Sequence, residues 1–151
     1  MTKIDFYLLG AGSDNRERFA CRLTEKAWRL GHRVYLLAAD PAAANELDEL
    51  LWTFSQGSFV PHALCREEAD PGAVVGAVDF ADSHPVLIGH TEPPASLSDV
   101  LISLAHDVPA WFSRFTRVAE MVGESEDDKT RARERFRFYR ERGYPLETHN
   151  I

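Results

Sequence analysis

Residues 3–51 read KIDFYLLGAGSDNRERFACRLTEKAWRLGHRVYLLAADPAAANELDELL, and within them the hydrophobic period changes three times. KIDFYLL at 3–9 is a short apolar run of the kind that forms a buried strand. Phe19, Leu23, Ala27 and Leu30 then recur at helical spacing, behind Ser13 or Asp14 as N-cap and ahead of Gly31 as a stop. RVYLLA at 33–38 is a second apolar run, and Asp40-Pro41 has the cap-then-proline form that opens a helix through Leu47, Leu50 and Leu51. Strand, helix, strand, helix predicts parallel strands joined by right-handed crossovers, an α/β domain.

Further along, apolar runs at 74–78, 86–89, 99–104 and 117–122 supply more strands, with Val86, Asp99 and Arg117 starting central ones. A helical turn is expected near Pro109 to Phe115 and turns at 92–98. Trp52 to Leu64, WTFSQGSFVPHAL, mixes aromatics with Gly and Pro and reads as an aromatic-lined loop, followed by a polar, turn-rich stretch at 66–72. No repeat, linker or low-complexity segment divides the chain, so residues 1–151 are expected to form one domain.

With 44% apolar and 27% charged residues the composition is that of a globular protein, and no run approaches the ~18 apolar residues of a membrane span. The N-terminus MTKIDFYLLG enters a strand directly rather than a leader pattern, so a cytoplasmic protein without a membrane role is expected. Cys21 and Cys65 form no CxxC pair and receive no role. Charge is unevenly placed: residues 1–128 carry a net −11, residues 129–151 a net +4, and the chain −7.

The basic surplus lies in Lys129 to Tyr144, KTRARERFRFYRERGY, whose first fourteen positions hold seven basic and two acidic residues. Ser125 with Glu126, Asp127 and Asp128 gives an N-cap and a negative first turn, and Gly143 with Pro145 gives a stop. Helical spacing puts Ala132, Phe136, Tyr139 and Gly143 on one stripe and Lys129, Arg133, Arg137 and Arg140 on the next, with Arg135 on the other side. Glu134 and Glu141 are too few to pair seven cations. A basic face beside an aromatic suits nucleic acid, a membrane surface, or an acidic peptide with an apolar end. The acidic remainder argues against a broad grip on a DNA backbone.

Motifs for chemistry are thin. Gly10-Ala11-Gly12 supplies two glycines of a dinucleotide fingerprint, but Asn15 stands where the third is needed, and Asp40 has its explanation as a helix cap. There is no GxxxxGK[ST] loop and no GxSxG elbow; the six histidines lack HxxxH spacing, and His62 with Cys65 lacks an orienting third group. No cofactor, metal site or catalytic residues are expected. The rival is a small nucleotide-binding enzyme on a Rossmann-like fold, to be judged at Gly10 to Asn15.

Six segments carry a resemblance that spans nearly the whole chain: IDFYLL at 4–9, KAWRLGHRV at 26–34, LDELLW at 47–52, SFVPH at 58–62, DVLISL at 99–104 and ARERFRFYRERGY at 132–144. In this order they resemble the chi-subunit family of bacterial DNA polymerase III, accessory proteins of the clamp-loader complex. The resemblance implies a single-domain, Rossmann-like three-layer α/β fold with a mostly parallel central sheet that has kept the topology without nucleotide chemistry. It implies a non-catalytic adaptor in DNA replication. One surface would hold the psi subunit, another the acidic C-terminal tail of single-stranded DNA-binding protein, and DNA would be met only indirectly. That tail ends in aspartates, then Pro-Phe and a free carboxylate, which suits cations beside an apolar pocket. Carried onto this sequence, the tail-binding positions are Val122, Lys129, Arg133, Phe136 and Arg137, and the psi-facing ones are Trp52, Phe59, Val60 and Pro61. The family commonly has tyrosine where Phe136 stands, and lysine where Arg137 stands. The first departure removes a hydroxyl; the second brings a guanidinium that pairs carboxylate bidentately.

Overall fold

The computed structural model of the protein describes residues 2–10, 15–54, 60–64, 85–95 and 97–151. In chain order these form β1 (Lys3–Leu8), α1 (Arg16–Arg29), β2 (Val34–Leu37), α2 (Pro41–Thr53), β3 (His62–Leu64), β4 (Val86–Gly89), β5 (Val100–Ser103), a 3₁₀ turn (Phe112–Arg114), β6 (Arg117–Val122), α3 (Glu126–Glu141) and β7 (Leu146–Asn150). One seven-stranded sheet runs in the order β3-β4-β2-β5-β6-β1-β7, and every adjacent pair is parallel.

Alternation along the strands explains the layers. In β2 all four residues are buried, because side chains of successive residues leave opposite faces of the sheet and both faces are covered. Val34 and Leu36 join Ala20 and Cys21 of α1 and Ala44, Leu47 and Leu51 of α2 in one core. Tyr35 and Leu37 join Phe112, Phe115 and, from α3, Ala132 and Tyr139 in the other. Among the described residues, two helices lie on one face and one on the other, which gives the three layers. Cys21 is a free cysteine in the first core, and burial pushes its thiol up to about 12; Cys65 lies outside the described residues.

Helix ends follow local chemistry. The cap of α1 is Asn15, whose Oδ1 accepts from Arg18 N–H at 2.8 Å, rather than Ser13 or Asp14, which lie outside the described residues. Gly31 follows at φ +90°, a left-handed conformation that glycine adopts without strain. Asp40 Oδ1 accepts from Ala43 N–H at 2.7 Å, with Pro41 opening α2.

Two readings of the sequence change. Trp52 to Leu64 is not one aromatic loop: Trp52 belongs to the last turn of α2, and His62–Leu64 is an edge strand paired with β4. Leu146–Asn150, to which the sequence assigned no element beyond the helix stop, form β7 beside β1. The strand expected at 74–78 and the turns at 66–72 fall outside the described residues. Within them, no helix is long and apolar enough to cross a membrane.

Candidate functional site

Helix α3 is seated on the sheet by a buried polar cluster. Its N-cap Ser125 accepts from Asp128 N–H at 3.1 Å, and its buried residues are Ala132, Arg135 and Tyr139, at spacings of three and four. Glu120 on β6 is fully buried, and its two oxygens accept from Arg135 Nε at 3.1 Å and Tyr139 Oη at 2.6 Å. Arg135 also donates to the His106 carbonyl at 3.0 Å. Burial pushes the Glu120 carboxyl above its ordinary value against the opposing pull of Arg135 and Tyr139, and burial with the same carboxylate pushes the Tyr139 phenol up. Arg135 is therefore not a solvated cation on the far side of the helix, as its sequence position suggested. The reason is Glu120, which lies outside the helix and so outside any helical pattern.

Between α3 and the ends of β1 and β6 lies a cavity of about 270 Å³, lined by Phe6, Leu8, Leu9, Val122, Gly123, Lys129, Ala132, Arg133, Phe136 and Thr148. Four of the five expected tail-binding residues meet here: Val122, Lys129, Arg133 and Phe136. Arg137 is exposed on the same helix but does not line the cavity. Phe136 stands edge-on to Phe6 with centroids 5.3 Å apart, and Arg140 Cζ lies 6.0 Å from its ring centroid. The floor is apolar and the rim cationic. Lys129 Nζ has only a loose contact with Glu126, at 3.9 Å, and neither Arg133 nor Arg137 makes an ion pair with a described residue. Such a site takes an apolar ring below and carboxylates above.

Sequence reading missed Phe6, Leu8, Leu9, Gly123 and Thr148. The signal for Phe6 and Leu8 was the alternation within 3–9, which puts them on one face, but which helix covers that face is a tertiary fact. At Gly123 a Cβ would sit 2.5 Å from Asp128 Oδ2, so a larger residue there would turn the Asp128 side chain aside.

The expected psi-facing residues are divided. Trp52 is 48% exposed and Pro61 is half-buried, but Val60 is fully buried within the core beneath α2, so its side chain is not on that face; Phe59 lies outside the described residues. Val60 went inward because the chain entering β3 must fill the space between that edge strand and α2.

Two further places bear on cofactors. A cavity between the N-termini of α1 and α3 is lined by Glu17, Glu124 and Asp128 beside Arg16, whose guanidinium already lies 3.3 Å from Glu17 and 3.7 Å from Asp128. Three carboxylates against one paired cation repel a phosphate. Gly10 and Asn15 flank this cavity, and the residues 11–14 between them lie outside the described residues. Elsewhere Asp5, Glu147 and His149 bring one ligand atom each within 4.8 Å of one another. Both carboxylates already have partners: Arg117 donates to Asp5 at 2.8 Å, Lys3 to Glu147 at 2.7 Å, and His149 Nε2 lies 3.0 Å from Asp5. This is an ion-pair network in which Arg117 and Lys3 pair the two carboxylates.

A family model described as "DNA polymerase III chi subunit, HolC" matches residues 1–147. The "DNA polymerase III subunit chi" of Pseudomonas aeruginosa is 43% identical over 152 residues, covering 100% of this chain and 98% of that protein. The protein of the same name from Escherichia coli is 34% identical over 154 residues, covering 98% of this chain and 97% of its own. Among solved structures, T4 UvsW superposes with a TM-score of 0.68 at 9% identity, over 99% of this chain and 41% of that one, a likeness of fold alone.

Proposed function

The chain belongs to the DNA polymerase III chi subunit family, an accessory rather than catalytic family, and from that premise we propose that it is an adaptor of the clamp-loader complex whose α3 cavity holds the acidic C-terminal tail of single-stranded DNA-binding protein. The observation that carries this reading is the combination in one cavity of an apolar floor, Phe6, Val122 and Phe136, with Arg133 at its rim and without an acidic partner among the described residues. A terminal phenylalanine would enter the floor, and the preceding carboxylates would meet Lys129 and Arg133, with Arg137 further along the helix. A second surface, with Trp52 and Pro61, would face psi and so link the clamp loader to the coated strand. DNA would be met only through these partners. The nucleotide-enzyme alternative is disfavoured by the carboxylates at the α1 and α3 N-termini.

Calorimetric titration with a peptide ending in aspartates and Pro-Phe tests the tail site. Arg133→Ala should weaken binding by about 1 kcal/mol, as for an exposed charge pair. Removing the terminal phenylalanine should cost about 2 kcal/mol of ring burial. Arg142→Ala, at the far end of α3 over the Phe138 ring, is the control, since Arg135 is buried. Equal losses for Arg133→Ala and Arg142→Ala would mean diffuse attraction to a positive helix and would rule out the pocket.

A further inference from the structure

Histidine 62 has an unusual set of neighbours. Its side chain is fully buried, with Nδ1 2.7 Å from the Val60 carbonyl oxygen and Nε2 3.1 Å from the Asp48 carbonyl oxygen and 3.3 Å from Asp48 Oδ1. Every one of these partners is an acceptor, so whichever ring nitrogen carries a proton has an oxygen to donate to. In any protonation state at least one carbonyl is bonded, and the ring is clamped between the approach to β3 and the body of α2. Asp48 is one helical turn before Trp52, so this clamp grips the turn of α2 that carries the indole. The two rings touch, centroids 4.3 Å apart at 47°. A fully buried, hydrogen-bonded ring thus backs one of the few exposed large apolar side chains among the described residues.

We propose that His62 is a positioning residue for the Trp52 face: it fixes the indole in its exposed rotamer, so that an apolar segment of a partner meets a surface already ordered. A side chain held before binding loses less freedom on binding, which is where preorganised aromatic anchors gain affinity. The link to a partner rests on the reading of this face as the psi-facing one. The effect on the indole does not.

The measurement is time-resolved fluorescence anisotropy of the full chain with Trp28 and Trp111 replaced by Phe, leaving Trp52 as the sole tryptophan of the three. His62→Leu, which fills the site without donating, should give the indole a fast, large-amplitude motion absent from the parent, with unchanged far-ultraviolet circular dichroism. His62→Gln, whose amide donates to one carbonyl, should restore part of the immobility. An indole as immobile in folded His62→Leu as in the parent overturns the proposal. Should His62→Leu not fold, His62→Gln decides on the same measure. In titrations with purified psi, Trp52→Ala and His62→Leu should each weaken association by about tenfold, the loss of one anchor. If Trp52→Ala has no effect, the psi reading of this face fails while anisotropy still decides the role of His62. If Trp52→Ala weakens association and a mobile indole in His62→Leu does not, the ordering role for binding is overturned.

Discussion

Arg133 and Arg135 stand two residues apart on α3, about 200° around the helix from one another, and that angle decides what each does. Arg133 reaches the cavity rim, whereas Arg135 turns inward to a fully buried carboxylate. A buried ion pair adds little compared with apolar packing, but removing one partner strands the other charge without water. Arg135→Ala should therefore destabilise the fold by about 3–5 kcal/mol and Glu120→Leu by a similar amount, since each leaves an uncompensated charge. The double variant should recover part of the loss. Urea denaturation of the two single variants and the double one measures this, and additive losses would mean that the two groups are not coupled. Arg133→Ala should leave the unfolding free energy within about 0.5 kcal/mol of the parent while it weakens binding of the peptide.

At the scale of elements, β7 shows how a strand without an apolar pattern is held. LETHN offers no alternation of apolar residues, and most of its side chains are exposed. It stays because β1 supplies parallel pairing from Ile4↔Leu146 to Leu8↔Asn150, and because Asp5 collects Arg117 from β6 and His149 from β7. Burial pushes Asp5 up, but hydrogen bonds from Arg117 and His149 and the charges of Arg117 and Lys3 outweigh it, so its carboxyl lies below the ordinary 3.8. A carboxylate held lower in the folded chain contributes stability that is fully present above its unfolded value and is lost as pH falls through the folded one. Stability should decline below about pH 5 as the unfolded chain begins to take up protons. Asp5→Asn should flatten that acid limb, measured as the urea midpoint against pH. Amide exchange on β7 should quicken in the same variant, and an unchanged acid limb would show that Asp5 is not its source. The strands that carry apolar runs, at 3–8, 34–37, 86–89, 100–103 and 117–122, were legible for the reason β7 was not: burial on both faces writes itself into composition. Helix α3 was legible through Ser125 and Gly143, whose capping roles are local.

Across the whole molecule, a body of net −11 carries a C-terminal segment of net +4. Within a Debye length of about 10 Å at 0.1 M salt, the rim cations would act on a carboxylate ligand, and charges of the acidic body farther away than that are largely screened. Raising salt should therefore slow association and weaken the tail peptide, down to a residual affinity that still requires its terminal phenylalanine, since ring burial is not screened. Stopped-flow and equilibrium titrations over a salt series test this; a residual affinity that survives deletion of the phenylalanine would remove the apolar floor from the mechanism.

By itself the sequence determined the α/β class, the positions of five strands and three helices, the basic segment and its caps, because period, burial and capping are local properties that residues carry with them. The tertiary structure decided the rest. The strand order put β1 between β6 and β7, and only that adjacency brings Phe6 and Leu8 under Phe136 and Arg133 to make a cavity. It decided that Arg135 is buried, because Glu120 is fifteen residues away along the chain and one hydrogen bond away in space. It turned Val60 inward while leaving Trp52 exposed. Each of these depends on which elements become neighbours, and the free energy of that choice is spread over two cores rather than written in any one segment.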